Sequence, residues 1–167
     1  VASRGLGDVY KRQTRIFASD LTRARSTAEA LATATGLPVT LDEGLREISV
    51  GDWEGFTRDE IDQKWPDLLV KWKSGEDVRP PGGESRLESS RRVYDSVHRL
   101  LKNCDDNDVV AMVAHGAVIR GATELMMGLS SETDYARLGV LDNCEYVHFL
   151  QRNDAWMLRR FAGGACA

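Results

Sequence analysis

The sequence predicts an α/β fold, a three-layer sandwich in which helices flank a mostly parallel central sheet. Strand-like and helix-like segments alternate from residue 14 onward, which is typical of this layered architecture. A continuous apolar run at 109–114 ends at once in His115-Gly116, as expected for a strand buried on both faces of a parallel sheet. A chain of 167 residues is long enough for one hydrophobic core and too short for two, so we predict one domain.

Two short strands and a helix are predicted at the start of this pattern. Arg15 to Ala18 is a short apolar strand, and Ser19 and Asp20 are expected to cap the helix that follows. The segment 36–38 contains a glycine and a proline, which end that helix. Val39 to Leu41 is the next short strand.

Helix signals dominate the middle of the chain. Thr57-Arg-Asp-Glu60 has the pattern of a capping box, which marks the start of a helix. Trp65-Pro66 interrupts this helix and begins a second one, because proline suits the first turn of a helix and not its interior. Residues 84–102 have apolar side chains at helical spacing and are predicted to form the longest helix.

The apolar run at 109–114 is predicted to be a central strand of the sheet. A helix is expected to follow it directly and to continue through Met127. Near the end of the chain, residues 146–150 and 156–161 are predicted to pair as an antiparallel hairpin across the polar segment 151–154.

Composition excludes several classes of protein. The net charge of -4 argues against nucleic acid as a partner, because binding to a phosphate backbone needs a basic face. No apolar run approaches the roughly 20 residues of a membrane helix, so no membrane partner is expected. Cys104, Cys144 and Cys166 have the spacing of neither a disulfide framework nor a metal site, which favours the reducing cytoplasm and predicts no metal. The sequence makes no prediction of oligomeric state.

Residues 1–13 have no core periodicity and are predicted to be a non-native segment. Asp8 to Gln13 back-translates to GATGTGTATAAGAGACAG, which resembles the adapter end used in transposon-based sequencing libraries. A disordered native tail is the alternative. We therefore expect the domain to occupy residues 14–162 and residues 163–167 to form a loose tail.

Three side chains are candidates for chemistry. His115 lies where a strand ends and a helix begins, at the sheet edge where ligands bind in open α/β folds. The helix that starts at Gly116 offers free backbone N–H groups to an anion. Arg23 lies in the first turn of the preceding helix, where a cation is unfavourable unless an anion is close. Glu47 lies in an irregular segment where a carboxyl group can donate a proton. Taken singly, each also fits a structural or solvated role.

Four motifs resemble the histidine phosphatase superfamily, which includes cofactor-dependent phosphoglycerate mutases and many small phosphatases. In chain order they are Ala18-Ser-Asp-Leu-Thr-Arg-Ala-Arg-Ser-Thr-Ala28, Leu45-Arg-Glu-Ile-Ser-Val-Gly-Asp-Trp-Glu-Gly55, Pro81-Gly-Gly-Glu-Ser85 and Ala114-His-Gly-Ala-Val-Ile-Arg120. The resemblance implies that Arg23, His115 and Gly116 bind phosphate, that His115 is the second active-site histidine, and that Glu47 is the proton donor. It implies no cofactor.

The family's Arg-His-Gly signature, which carries the nucleophilic histidine, is absent from the sequence. The resemblance therefore implies a phosphoglycerate mutase-like fold lacking its first strand, truncated before or at that signature. The intact parent is expected to be a phosphatase that hydrolyses a small phosphorylated metabolite through a phosphohistidine, and the 167-residue chain is expected to be inactive. A phosphoglycerate mutase-type phosphotransferase and a non-catalytic phosphate-binding module are the alternatives.

Overall fold

The computed structural model of the chain describes residues 13–129, 138–152 and 155–164. The predictions for residues 1–12, for the hairpin turn at 153–154 and for the tail at 165–167 lie outside the described residues.

Three short parallel strands form the sheet that carries the candidate site. They are β1 (Arg15–Ala18), β2 (Val39–Leu41) and β3 (Val110–Val113), in the spatial order β2-β1-β3. The register pairs Ala18 with Leu41 on one side and with Val113 on the other, so the three strands end at the same edge. The predicted bounds of β1 and β2 are confirmed, because short apolar runs between turn residues define both strands locally.

Helices cover both faces of this sheet, which confirms the predicted three layers. Helix α1 (Thr22–Thr35) packs on one face, where Ala28 contacts Ile16 and Ala18 in a buried cluster. Helices α4 (Arg86–Leu101) and α5 (Gly116–Met126) lie against the other face, where a second cluster is buried. That cluster contains Phe17, Leu45, Val93, Leu100, Val118 and Ala122.

The start of α1 differs from the prediction. The helix begins at Thr22 after Leu21, and no side chain caps it, so the expected capping by Ser19 and Asp20 is wrong. The Ser19 hydroxyl instead contacts His115, and the Asp20 carboxylate pairs with Arg46. Both partners are distant in sequence. Ser19 Oγ also accepts a hydrogen bond from the backbone N–H of Leu21 at 3.3 Å, but Leu21 precedes the helix, so this contact caps no N–H group of the first turn.

Local signals fix the other helix starts. Thr57 caps α2 (Arg58–Lys64) in the predicted capping box with Glu60, and Pro66 opens α3 (Pro66–Ser74) directly after the break at Trp65. A second capping box, between Ser85 and Glu88, starts α4 two residues later than predicted. These boxes satisfy backbone N–H groups that a helix start otherwise leaves open.

The apolar strand β3 is not the central strand of the described sheet. It pairs only with β1 among the described strands, and all four of its residues are partly exposed. The prediction that it lies in the centre, buried on both faces, is wrong for the described residues, where β1 has two neighbours and takes that place. An unbroken apolar run reports hydrophobicity and carries no information on strand order.

Two strands near the end of the chain form the predicted antiparallel hairpin, β4 (Tyr146–Arg152) with β5 (Ala155–Gly163). Each strand is longer than predicted, because pairing extends through polar residues such as Gln151 and Arg152. Trp156 of the hairpin packs edge-on against His98 of α4. No helix within the described residues is long and apolar enough to cross a membrane.

Candidate active site

The ends of β1 and β3 bring Ser19 and His115 together. Ser19 directly follows β1, and its backbone N–H donates to the carbonyl of Val113, the last residue of β3, at 2.9 Å. His115 follows two residues later, at the start of α5. The parallel register therefore places both residues at the carboxyl edge of the sheet, where open α/β sheets bind ligands.

His115 is held by two side chains. Its Nδ1 accepts a hydrogen bond from Arg23 Nε at 3.0 Å, and its Nε2 lies 3.0 Å from Ser19 Oγ. Because arginine only donates, Nδ1 must be unprotonated, so in this arrangement the ring proton is on Nε2 and is donated to Ser19. The residue is only 7% exposed, so the imidazole is largely shielded from water.

Burial, together with the nearby Arg23 and Arg92 guanidinium groups, lowers the pKa of His115 to about 4. His115 is therefore neutral at pH 7, in agreement with the acceptor role of Nδ1. A bound anion acts in the opposite direction, since it favours the protonated imidazole.

The depressed pKa of His115 predicts acid sensitivity. In the unfolded chain the imidazole has a pKa of about 6.5, so between pH 6.5 and 4 the unfolded state binds more protons and stability falls as the pH falls. We expect this histidine to lower the free energy of unfolding by about 3 kcal/mol between pH 7 and pH 4. Urea titrations of the wild-type chain and of His115→Gln, whose amide can make both hydrogen bonds, measure the difference. Parallel pH dependences of the two proteins would contradict it.

Arg23 extends from the first turn of α1, and its Nε is the only one of its nitrogens hydrogen-bonded within the described residues. The side chain is exposed, and no carboxylate of the described chain lies within ion-pair distance of it. The two Nη groups of Arg23 have the fork geometry that suits phosphate oxygens. The structure brings Arg23 and His115 into direct contact, and their role as phosphate ligands stays a prediction.

Two helix starts at this edge lack side-chain caps. The residues that precede α1 and α5, Leu21 and His115, make no capping hydrogen bond, whereas α2 and α4 are closed by capping boxes. Their backbone N–H groups and positive dipole ends favour an anion. Gly116, the first residue of α5, lies close to Leu141, where a Cβ atom would be 3.3 Å from the carbonyl oxygen.

Glu47 lies on the segment that follows Leu45, partly exposed. Its Oε1 accepts a hydrogen bond from the backbone N–H of Ile48 at 3.0 Å. Within the described residues, no hydrogen bond joins its carboxylate to His115 or Arg23. The preceding residue, Arg46, pairs with Asp20 next to Ser19, so the segment that carries Glu47 is attached to the edge of the sheet.

Arg92 of α4 holds this segment in place, a role that sequence reasoning missed. Its guanidinium donates to the carbonyl oxygens of Gly44, Arg46 and Glu47 at 2.9, 3.0 and 3.3 Å and to both carboxylate oxygens of Glu84. Partial burial alone would raise the pKa of Glu84, but the Arg92 contact lowers it below its usual range. No pattern in the sequence links Arg92 to residues more than forty positions away.

Metal-binding side chains do not cluster in the described ranges: no group of three or more His, Cys, Asp or Glu side chains there could hold an ion. The expectation of a metal-free site stays a prediction. The chemistry available to the described side chains is the binding of an anion by Arg23, His115 and two helix starts.

Comparison with known proteins places this geometry in context. The family model described as the histidine phosphatase superfamily (branch 1) matches residues 3–163. The chain is similar to a glucosyl-3-phosphoglycerate phosphatase of Mycolicibacterium vanbaalenii, with 36% identity over 79% of this chain and 61% of that protein. It is also similar to a 2,3-bisphosphoglycerate-dependent phosphoglycerate mutase of a Methylobacterium species, with 34% identity over 70% of this chain and 59% of that protein.

A solved structure shares the fold. The complex of a mycobacterial glucosyl-3-phosphoglycerate phosphatase with inorganic phosphate superposes with a TM-score of 0.83 at 30% identity, covering 96% of this chain and 81% of that chain. The alignments with the curated relatives thus span about three fifths of their length, while the structural match includes nearly all of this chain.

Proposed function

The chain belongs to the histidine phosphatase superfamily, and on that premise we propose that it binds phosphate monoesters and that its intact parent hydrolyses them. The observation that carries the proposal is the contact between Arg23 and a neutral, buried His115 beside two uncapped helix starts. This arrangement places the Arg23 guanidinium close to the free backbone N–H groups of the two helix starts. The positive charge of Arg23 has no carboxylate partner in the described chain. A phosphate dianion supplies that partner.

Arg23, His115 and the backbone at Gly116 are the proposed phosphate ligands. The two Nη groups of Arg23 suit two phosphate oxygens, and the α5 N–H groups suit a third. The His115 ring would donate to the phosphate by giving up its contact with Arg23 or with Ser19. In phosphoryl transfer, charge develops on these oxygens, so donors fixed in advance stabilise the transition state. The anchoring of Ser19 and His115 to adjacent strand ends supplies that rigidity.

Glu47 is the proposed proton donor. In the intact parent, a histidine nitrogen would attack phosphorus while the bond to the leaving oxygen breaks, and the Glu47 proton would pass to that oxygen. Water would then attack the phosphohistidine, giving its proton to the Glu47 carboxylate as the P–N bond breaks and phosphate leaves. The fixation of the Glu47 segment by Arg92 supports this role, because a proton donor must be held in position.

We propose that none of the three histidines supplies the nucleophile for this step. His115 uses Nδ1 to accept from Arg23 and Nε2 to contact Ser19. His98 lies in α4, bonded to the Tyr94 carbonyl oxygen at 2.8 Å and packed against Trp156, and His148 lies on β4. We therefore propose that the 167-residue chain binds phosphate but does not turn over a phosphate ester.

A paired measurement on the purified chain tests this proposal. Isothermal titration with inorganic phosphate should give saturable binding, and an assay with p-nitrophenyl phosphate should give no release of nitrophenolate above buffer. Absence of binding would contradict the phosphate site. The proposal assigns His115 as a phosphate ligand only. Saturable turnover by the wild-type chain that disappears in His115→Ala would contradict it, because His115 would then be the nucleophile.

A phosphotransferase is the second candidate, because one relative is a phosphoglycerate mutase. The parent enzyme would then return the phosphoryl group to its substrate, and isomerisation of phosphoglycerate without phosphate release would favour this function. The proposed ligand in either case is a small phosphorylated metabolite. The proposed location is the cytoplasm, since Cys104 and Cys144 are both free thiols, as expected in a reducing compartment.

A further inference from the structure

Both ring nitrogens of His115 have partners, so a phosphate can contact the ring only by replacing one of them. Arg23 Nε lies 3.0 Å from Nδ1, and Ser19 Oγ lies 3.0 Å from Nε2. The two partners differ in burial and in the hydrogen bonds that they can make. These differences determine which ring nitrogen faces the ligand.

Ser19 is the buried partner of the ring. Its exposed fraction is 0%, and its backbone N–H donates to the carbonyl of Val113 at 2.9 Å. A serine oxygen has two lone pairs, and here one accepts from the backbone N–H of Leu21 at 3.3 Å while the other faces Nε2 of His115. Loss of the Ser19 contact would leave the Nε2 proton without this acceptor in a buried position, which is unfavourable.

Arg23 is the exposed partner, so water can solvate its guanidinium when it leaves the ring. Arginine only donates, and its contact therefore requires an Nδ1 without a proton. A protonated Nδ1 is itself a donor and cannot share a hydrogen bond with the Nε of Arg23. A phosphate oxygen accepts from both groups, so an anion placed between them replaces one direct contact with two charge-assisted hydrogen bonds.

The charges around the ring favour the same exchange. Burial, Arg23 of α1 and Arg92 of α4 all lower the pKa of His115. Within the described residues, no carboxylate is hydrogen-bonded to the ring. A bound anion supplies the missing negative charge and thereby favours a second proton on the imidazole.

We propose that Ser19 is a positioning residue of the phosphate site. It holds the His115 ring through Nε2, so that Nδ1, released by Arg23, takes up a proton from solution and donates a hydrogen bond to a phosphate oxygen. The released guanidinium of Arg23 then binds the same phosphate. This inference rests on the proposed function, because it assigns atoms within the site proposed to bind phosphate.

Nitrogen-15 NMR of the full wild-type chain, with inorganic phosphate as the probe, tests the assignment of atoms. In the free chain at neutral pH, Nδ1 of His115 should have the chemical shift of an unprotonated ring nitrogen and Nε2 that of a protonated one. With saturating phosphate, Nδ1 should be the nitrogen that gains the proton as the pH is lowered, while Nε2 stays protonated throughout.

Two results for the wild-type chain would overturn the inference. One is a ring that does not respond to bound phosphate. The other is a phosphate-induced rise in the pKa of His115 in which Nε2 is the nitrogen that gains the proton, and this result would leave the proposed phosphate site intact. Failure to bind inorganic phosphate in isothermal titration would instead reject the proposed function.

Ser19→Ala tests the positioning role, because it removes the acceptor for Nε2. Loss of one hydrogen bond to a charged ring should weaken the binding of inorganic phosphate about tenfold and reduce the phosphate-induced rise in the His115 pKa to less than about half. Ser19→Thr keeps a hydroxyl group at this position, and its phosphate affinity should be within about threefold of the wild-type value.

Ser89→Ala is the matched control. Ser89 is 2% exposed, and its hydroxyl donates to the backbone carbonyl of Arg86 at 3.0 Å. The variant also removes a buried serine hydroxyl, but its phosphate affinity and His115 titration should equal those of the wild-type chain. Wild-type behaviour of folded Ser19→Ala, or equal losses in the Ser19→Ala and Ser89→Ala proteins, would overturn the positioning role. The wild-type spectra test the inference even where a variant does not fold.

Discussion

Replacement of Arg23 with glutamine is expected to weaken the binding of inorganic phosphate about a hundredfold. A hydrogen bond to a charged group contributes about 1.5–3 kcal/mol, and the guanidinium can make two to phosphate. Loss of about 3 kcal/mol corresponds to roughly a hundredfold in the dissociation constant. The substitution also removes the Nε donor that fixes Nδ1 of His115 as an acceptor. Isothermal titration of the variant measures the effect.

Arg25→Gln is the control for this substitution. Arg25 lies two residues further along the same helix, where its Nε pairs with Glu29 at 2.7 Å and the side chain is exposed. It removes the same charge from the same helix but not from the site, so phosphate affinity should change less than about threefold, as expected for a surface charge. Equal losses in the two variants would show that Arg23 acts only through long-range charge.

Replacement of Leu45 with alanine is expected to give a large loss of stability. Leu45 is 1% exposed and packs in the cluster with Phe17 and Val118, against the face of the sheet opposite α1. Substitutions of buried leucine by alanine cost about 2–5 kcal/mol, through lost burial and the cavity left behind. Urea unfolding should therefore show a decrease of that size. Because Leu45 directly precedes Arg46 and Glu47, the substitution should also make the segment that carries the proposed proton donor less rigid.

Leu41→Ala provides the comparison for this variant. Leu41 is 43% exposed at the end of β2, so the same chemical change there should cost less than about 1 kcal/mol. A cost at Leu45 no larger than at Leu41 would contradict its place in the core.

Much of the fold could be predicted because its signals are local. The strands β1 and β2 and the capping box at Thr57 are defined by residues within a few positions of one another, and their predicted bounds or partners are confirmed. The resemblance of four motifs placed the chain in the family to which it belongs. Within the candidate site, the contact of Arg23 with His115 follows from the meeting of strand ends at one edge of the sheet.

The remaining features depend on contacts between distant residues. Ser19 and Asp20 have the chemistry of helix caps, yet they make tertiary contacts with His115 and Arg46, and neither caps the first turn of α1. Arg92 resembles a surface arginine in sequence, and only the fold brings three backbone carbonyl groups and Glu84 to it. The outer position of β3 in the described sheet is likewise a matter of strand order, which hydrophobicity does not encode.

The direct test of the phosphate site is the titration of the His115 ring, followed by nitrogen-15 NMR with and without inorganic phosphate. The chain contains three histidines, so His98 and His148 serve as internal controls. Without phosphate, His115 should titrate with a pKa of about 4 and show its proton on Nε2. Saturating phosphate should raise that pKa by at least about one unit, because the bound anion favours the imidazolium, and should leave the other two histidines unchanged. A His115 titration that is the same with and without phosphate would contradict the site.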